Sequence, residues 1–243
     1  MNLLFIISLF LTSINTLATL QGPCLTIVKR KEIRQLSPSE LSKFINATLQ
    51  LKQKGVLDEY SKIHLDHTEV AHNVGGFLPW HRYFLKQLEL QLIQIDPSIT
   101  LPYWDWTLDS QAPERSILFQ PNYFGGNGDK QKNECISTSP YATWSMQVPS
   151  THCLKRKFDL GDKISSFYSP EAIEAILRTS TTYDQFRKNI ELIPHAKVHD
   201  NIGGDMTEMF SPNDPLFYLH HAFVDLLWFE WQKRFPGLAE TYD

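Results

Sequence analysis

SPNDPLFYLHHAFVDLLWFEW (Ser211–Trp231) sets two adjacent histidines, His220 and His221, in an apolar and aromatic run. Asp214 has the chemistry of a helix N-cap and Pro215 suits a first helical position, so the stretch predicts a helix ending near Phe235. Neighbours on a helix point about 100° apart. The two imidazoles therefore meet different surroundings. Either one is a ligand and the other its support, or both are core residues with satisfied hydrogen bonds. The other histidines bear on the choice.

The chain has 9 histidines. His64, His67, His72 and His81 form one group, and His195, His199, His220 and His221 form another, with His152 apart. A lone histidine on an apolar face is more often a core residue than a ligand, and clustering moves the balance towards ligation. His195 and His199 are spaced i,i+4, which places both on one helix face within reach of a common ion. There is no H-E-x-x-H to supply a zinc peptidase with its general base, and no carboxylate at a regular ligand offset. Imidazole-only coordination suits copper, zinc, iron or nickel and disfavours calcium and magnesium.

Around these groups the chain reads as helices. Ser37, Pro38 and Gly55 bound a helix from about Pro38 to Lys54. Leu57, Tyr60, Ile63 and His64 stripe a second, on which periodicity does not separate His64 from His67 as a ligand. A third runs from Pro79 to about Ile95, and shorter ones follow Ser169 and lie in TTYDQFRKNIE (residues 181–191). From Thr107 to Ser166 the pattern fades into Pro, Gly, Asn and Ser, a long loop-like region of the kind that covers a site. Strand signals are few. The class is mainly α, and helices at this spacing suggest a bundle with long irregular loops.

With 243 residues and a net charge of −4, one large domain is expected, with no basic excess to suggest nucleic acid and no patch to suggest a membrane surface. Leu3–Leu11 is apolar but too short to span a bilayer, and Thr16-Leu17-Ala18 suits signal peptidase. Residues 1–18 read as a cleaved secretory signal, which makes the mature protein secreted and free of a membrane anchor. Of the 3 cysteines, Cys135 and Cys153 are placed to close a surface loop and leave Cys24 odd, although sequence leaves every pairing open. Asn46-Ala47-Thr48 is a glycosylation sequon.

HNVGGFLPWHRYFLKQLE (residues 72–89) and DPLFYLHHAFVD (residues 214–225) resemble the two copper-binding signatures of the tyrosinase family. DPSITLPYWDWTLDS (residues 96–110) and GGDMTEMFSPNDP (residues 203–215) extend the resemblance, which covers about Leu57 to Trp231 and is similar to secreted, nematode-like members. It implies a four-helix-bundle core carrying two copper ions over residues 57–235. Residues 19–56 would form an N-terminal segment with one helix, and 236–243 a short tail. The implied ligands are His64, His72 and His81 for the first copper and His195, His199 and His221 for the second. LDEYSKIH (residues 57–64) favours His64 over His67, and the resemblance implies that His220 points elsewhere yet lies near the site as a support.

The implied activity is oxidation of phenols and o-diphenols to o-quinones by O2, with no obligate protein partner. In the family a glutamate holds a water that takes the proton of a monophenol, and Glu191 stands in that place. The Asn that often assists it is Ala196 here, so diphenolase activity is expected to dominate. Val70 replaces a cysteine that many relatives crosslink to a histidine. Arg82 and Glu89 are expected to form structural ion pairs. Asp225 would orient an imidazole or pair with Arg82. No covering domain is expected after the last helix. The rival readings are a haemocyanin-like oxygen carrier, with identical ligands, and a metal-free interaction protein.

Overall fold

Ser37 opens the first helix of the computed structural model, which describes residues 28–242. Its hydroxyl accepts from the Glu40 amide while the Glu40 carboxylate accepts from the Ser37 amide, a reciprocal cap that starts α1 (Pro38–Gln53). Gly55, at φ 75°, turns the chain into α2 (Val56–Asp66) in a conformation that glycine adopts without strain. One turn, α3 (Thr68–Ala71), precedes α4 (Phe77–Ile95). This helix begins two residues before the expected Pro79. Proline fits there because first-turn amides have no intrahelical partner. The expected signal over residues 1–18 and Cys24 lie outside the described residues.

Ser169 and Thr182 cap α5 (Pro170–Thr179) and α6 (Tyr183–Ile190). His195 and His199 share one helical face as their i,i+4 spacing predicts, with their rings 4.7 Å apart, because α7 (Ala196–Ile202) follows His195 directly. Ahead of it Glu191–His195 form a π turn. Pro194 lies inside the turn and has no amide to donate, and the Ala196 amide reaches back to the Glu191 carbonyl. The last helix, α8 (Leu216–Arg234), starts where the Asp214 carboxylate accepts from the Leu216 amide at 2.9 Å.

The architecture is mainly α: α4 packs on α8, and α1 packs on both α2 and α4. Residues 107–169 hold only short 3-10 turns and a two-stranded antiparallel hairpin, β1 (Ser145–Met146) and β2 (His152–Cys153). They are nonetheless core material, since Leu118, Phe119, Phe124, Tyr141, Met146, Leu154 and Phe167 are all buried. A disulfide joins Cys135 to Cys153. Asn46 is exposed on α1, whereas Thr48 of the same sequon is buried and bonded to the Tyr141 hydroxyl at 3.1 Å. No helix among the described residues is long and apolar enough to cross a membrane.

Two ion-pair systems fix α8. Arg156, fully buried, donates to both carboxylate oxygens of Asp214, at 2.6 and 2.9 Å, and to the carbonyls of Phe124 and Gly125. The planar guanidinium thereby ties the irregular region to the start of α8. At mid-helix Asp225 accepts from Arg82 and, at 2.9 Å, from Arg30, which also pairs with Glu89 at 3.2 Å. Arg82 lies 3.7 Å from the centre of the Trp228 ring.

Candidate metal centre

Four helices carry imidazoles inward. His64 comes from α2, His81 from α4, His199 from α7 and His221 from α8, with His72 just after α3 and His195 closing the π turn. The potential ligand atoms of His64, His72 and His81 lie within 4.8 Å of one another, as do those of His195, His199, His220 and His221. The groups abut: the rings of His81 and His221 stack at 4.2 Å. Phe77 lies 4.9 Å from both His81 and His195, and Phe217 lies 4.2 Å from His221 and 5.0 Å from His64. These aromatic walls are buried and exclude water from the interior side.

His67 is exposed, with its Nδ1 on its own helix at the Ile63 carbonyl. His152 belongs to neither group and donates to Asp205 at 3.0 Å. His220 points away from His81 and, as the resemblance implies, lies near the site, against the second group. The 100° divergence of neighbours still holds. His221 faces His81 on α4, while His220 stacks on His195 at 5.2 Å and meets His199 edge-on at 4.8 Å. The π turn and α7 wrap the second face of α8 with histidines, so both directions lead inward. Neither nitrogen of His220 has a protein partner.

Burial holds the imidazoles neutral. It pulls His64 down to about 3 and His199 to about 4, from an ordinary 6.5. His81, His195, His220 and His221 are pushed well below that value, chiefly by burial and then by their histidine neighbours. The half-buried His72 is also lowered by burial.

Backbone carbonyls fix most of the tautomers. Nδ1 donates from His64 to Met209 at 2.6 Å, from His72 to Thr68 at 3.2 Å and from His81 to Phe77 at 2.8 Å. In the second group His195 donates to Glu191 at 3.0 Å and His199 to Met206 at 2.6 Å. A neutral ring with its hydrogen on Nδ1 presents a bare lone pair at Nε2. Two such lone pairs, on His64 and His81, face each other at 3.3 Å, and the Nε2 of His195 is buried without a partner. Lone pairs so placed repel unless a cation lies among them. The donor set fits a borderline or soft metal held by imidazole nitrogen, with the carbonyls as orienting supports.

Glu191 is buried, and both its oxygens are engaged. One accepts from the Asn73 amide at 2.5 Å and the other from Arg187 Nη1 at 2.9 Å. Ala196, next to His195, is partly exposed. Val70 is exposed two residues before His72. Asp225 spends its carboxylate on Arg82 and Arg30 rather than on an imidazole. Arg156 and the π turn were missed in the sequence. Pro194 was the signal for the turn, whereas nothing in CLKRKFDL (residues 153–160) distinguishes Arg156 from its basic neighbours.

A family model, the common central domain of tyrosinase, matches residues 54–234. A tyrosinase of Streptomyces glaucescens is 34% identical over 232 residues, covering 86% of this chain and 84% of the relative. A tyrosinase-like protein of Caenorhabditis elegans is 35% identical over 239 residues, covering 91% of this chain and 34% of that longer protein. Among solved structures, a polyphenol oxidase from Thermothelomyces thermophila superposes with a TM-score of 0.71 at 25% identity, over 85% of this chain and 70% of that one. A functional unit of Octopus hemocyanin shares the fold, with a TM-score of 0.62 at 24% identity over 87% of this chain and 55% of the other.

Proposed function

The chain belongs to the tyrosinase family and is a copper oxidoreductase of the tyrosinase type, and on that premise we propose that it is a secreted enzyme that oxidises o-diphenols in preference to monophenols. Two o-diphenols each give up two electrons and two protons, and one O2 takes them and leaves as two waters. The observation that supports a copper pair is the facing of buried, donor-free imidazole nitrogens in two abutting groups. His64, His72 and His81 would hold one copper, and His195, His199 and His221 the other. Bound copper supplies the electron transfer to O2. The protein's share is to keep the imidazoles neutral and aimed and to exclude water with Phe77 and Phe217.

A monophenol must also lose its proton, and Glu191 is the residue proposed to hold the water that takes it. Its oxygens already serve Asn73 and Arg187, and Ala196 adds no polar group beside them. Hydroxylation is therefore the weaker activity. The Cys135–Cys153 disulfide is consistent with passage through an oxidising compartment.

Copper analysis of the secreted protein, with an absorption spectrum in dilute hydrogen peroxide, tests the site. About two coppers per chain and an intense near-ultraviolet band are expected from a coupled pair. Catechol turnover exceeding that of the matching monophenol supports the preference. Copper and the band without catechol turnover would instead indicate an oxygen carrier.

A further inference from the structure

The loop that carries His72 is held by the element that carries His195. After α3 ends at Ala71, residues 72–76 form no regular structure before α4, and Asn73 takes a left-handed conformation at φ 59°. The Nδ1 contact of His72 with Thr68, at 3.2 Å, is longer than those of His64 and His81. His72 is also the least buried of the three. Its loop needs support from outside, and α6 with the π turn provides it at two points. The Glu191 carboxylate accepts from the Asn73 amide at 2.5 Å, and the Tyr183 hydroxyl donates to the Gly75 carbonyl.

Glu191 reaches both groups at once. Its side chain grips the residue after His72, and its carbonyl accepts from His195 Nδ1 at 3.0 Å. Arg187, one turn earlier and buried, pins the second carboxylate oxygen at 2.9 Å, so the carboxylate cannot swing away. We propose that Glu191, backed by Arg187 and Tyr183, is a strut that positions His72 relative to His195 and so sets the spacing of the two metal positions. This inference rests on the copper-pair reading, but it assigns Glu191 a positioning role distinct from holding water for a phenol.

The chemistry separates the two roles. The contact with the loop needs an acceptor for the Asn73 amide, which the glutamine side-chain oxygen supplies, while Arg187 gives up its bond to residue 191 and keeps Asp184. A proton relay needs the carboxylate. In the metal-free protein, the Asn73 amide is expected to be protected from hydrogen exchange in the wild type and in Glu191→Gln, and to lose that protection in Glu191→Ala. With copper added, Glu191→Ala is expected to bind metal about 10–100-fold more weakly at the first position, the usual loss when a supporting contact is removed. The second position should still fill, the near-ultraviolet band should disappear, and Glu191→Gln should keep metal and band.

Tyr183→Phe removes only the second pin. It should weaken the first position less than Glu191→Ala does, and it serves if Glu191→Ala fails to fold. Unchanged exchange at Asn73 in Glu191→Ala overturns the strut, as does equal loss of copper from both positions. So does Glu191→Ala retaining the pair while Glu191→Gln loses monophenol turnover alone. A wild-type chain that binds no copper pair would refute the copper reading instead, and the exchange measurement would still decide the strut.

Discussion

The Nε2 atoms of His64 and His81 face each other at 3.3 Å, and neither has a hydrogen to give the other. Each ring has placed its hydrogen on Nδ1, against the carbonyls of Met209 and Phe77. The arrangement is repulsive until a cation occupies it. His64→Ala is therefore expected to abolish copper at the first position. His67→Ala, which alters an exposed ring bonded to its own helix, should leave copper affinity within about twofold, as surface substitutions usually do. Copper per chain measured on the two variants settles which histidine serves. Equal losses would mean that the first group assembles differently.

Buried neutral histidines make the metal-free protein sensitive to acid. Their values lie below the ordinary 6.5, near 3 for His64 and 4 for His199. Above pH 6.5 the rings are neutral in both folded and unfolded chains and contribute no pH dependence. Below it the unfolded chain takes up protons that the folded chain refuses. Each such ring then costs stability at about 1.4 kcal/mol per pH unit until the folded value is reached. Thermal unfolding of the metal-free protein should be level just above pH 7 and fall steeply from pH 6.5 towards 4. A midpoint unchanged across that window would mean that the rings titrate freely in the fold.

Much of this candidate site was legible in the sequence because His64, His81, His199 and His221 sit on regular helices. The helices of His81, His199 and His221 could be drawn from periodicity and capping, while the choice of these rings as candidate ligands comes from the resemblance to the copper-binding signatures. Harder to foresee were the contacts between helices. The direction of His220 depends on what wraps the far face of α8, and that is a π turn produced by Pro194. The resemblance singles out Glu191 as a water-holding carboxylate, but its grip on the Asn73 amide depends on how the loop after His72 folds onto it. Residues 107–169 lack periodicity because short turns bury aromatic side chains one at a time, which leaves no repeating signal.

Arg156 and Asp214 form the most deeply buried ion pair of the described residues, and they join the irregular region to the helix that carries His220 and His221. Arg156→Ala strands the Asp214 charge in the interior and leaves the carbonyls of Phe124 and Gly125 without their donor. Breaking a buried pair from one side costs about 3–5 kcal/mol. The variant should unfold at a clearly lower denaturant midpoint, and Arg156→Lys, which lacks the bidentate fork, should recover only part of the loss. Chemical denaturation of the metal-free chain checks both. A shift of the size seen for surface substitutions would show that α8 is anchored elsewhere.

Ala196 follows His195 and opens α7, partly exposed beside the π turn. A polar side chain here would help hold a water against Glu191, whose oxygens are otherwise taken by Asn73 and Arg187. Ala196→Asn buries no large group and makes no new charge, so fold and copper content should be unaffected. Removal of the phenol proton is needed only for monophenols. The substitution should therefore raise monophenol turnover about tenfold, below the 10²–10⁴ of a fully positioned acid or base, with catechol turnover little changed. Steady-state rates on a matched monophenol and catechol give the ratio directly. If it does not move, water held beside His195 does not limit hydroxylation, and the preference must come from how the phenol ring is seated over the histidines.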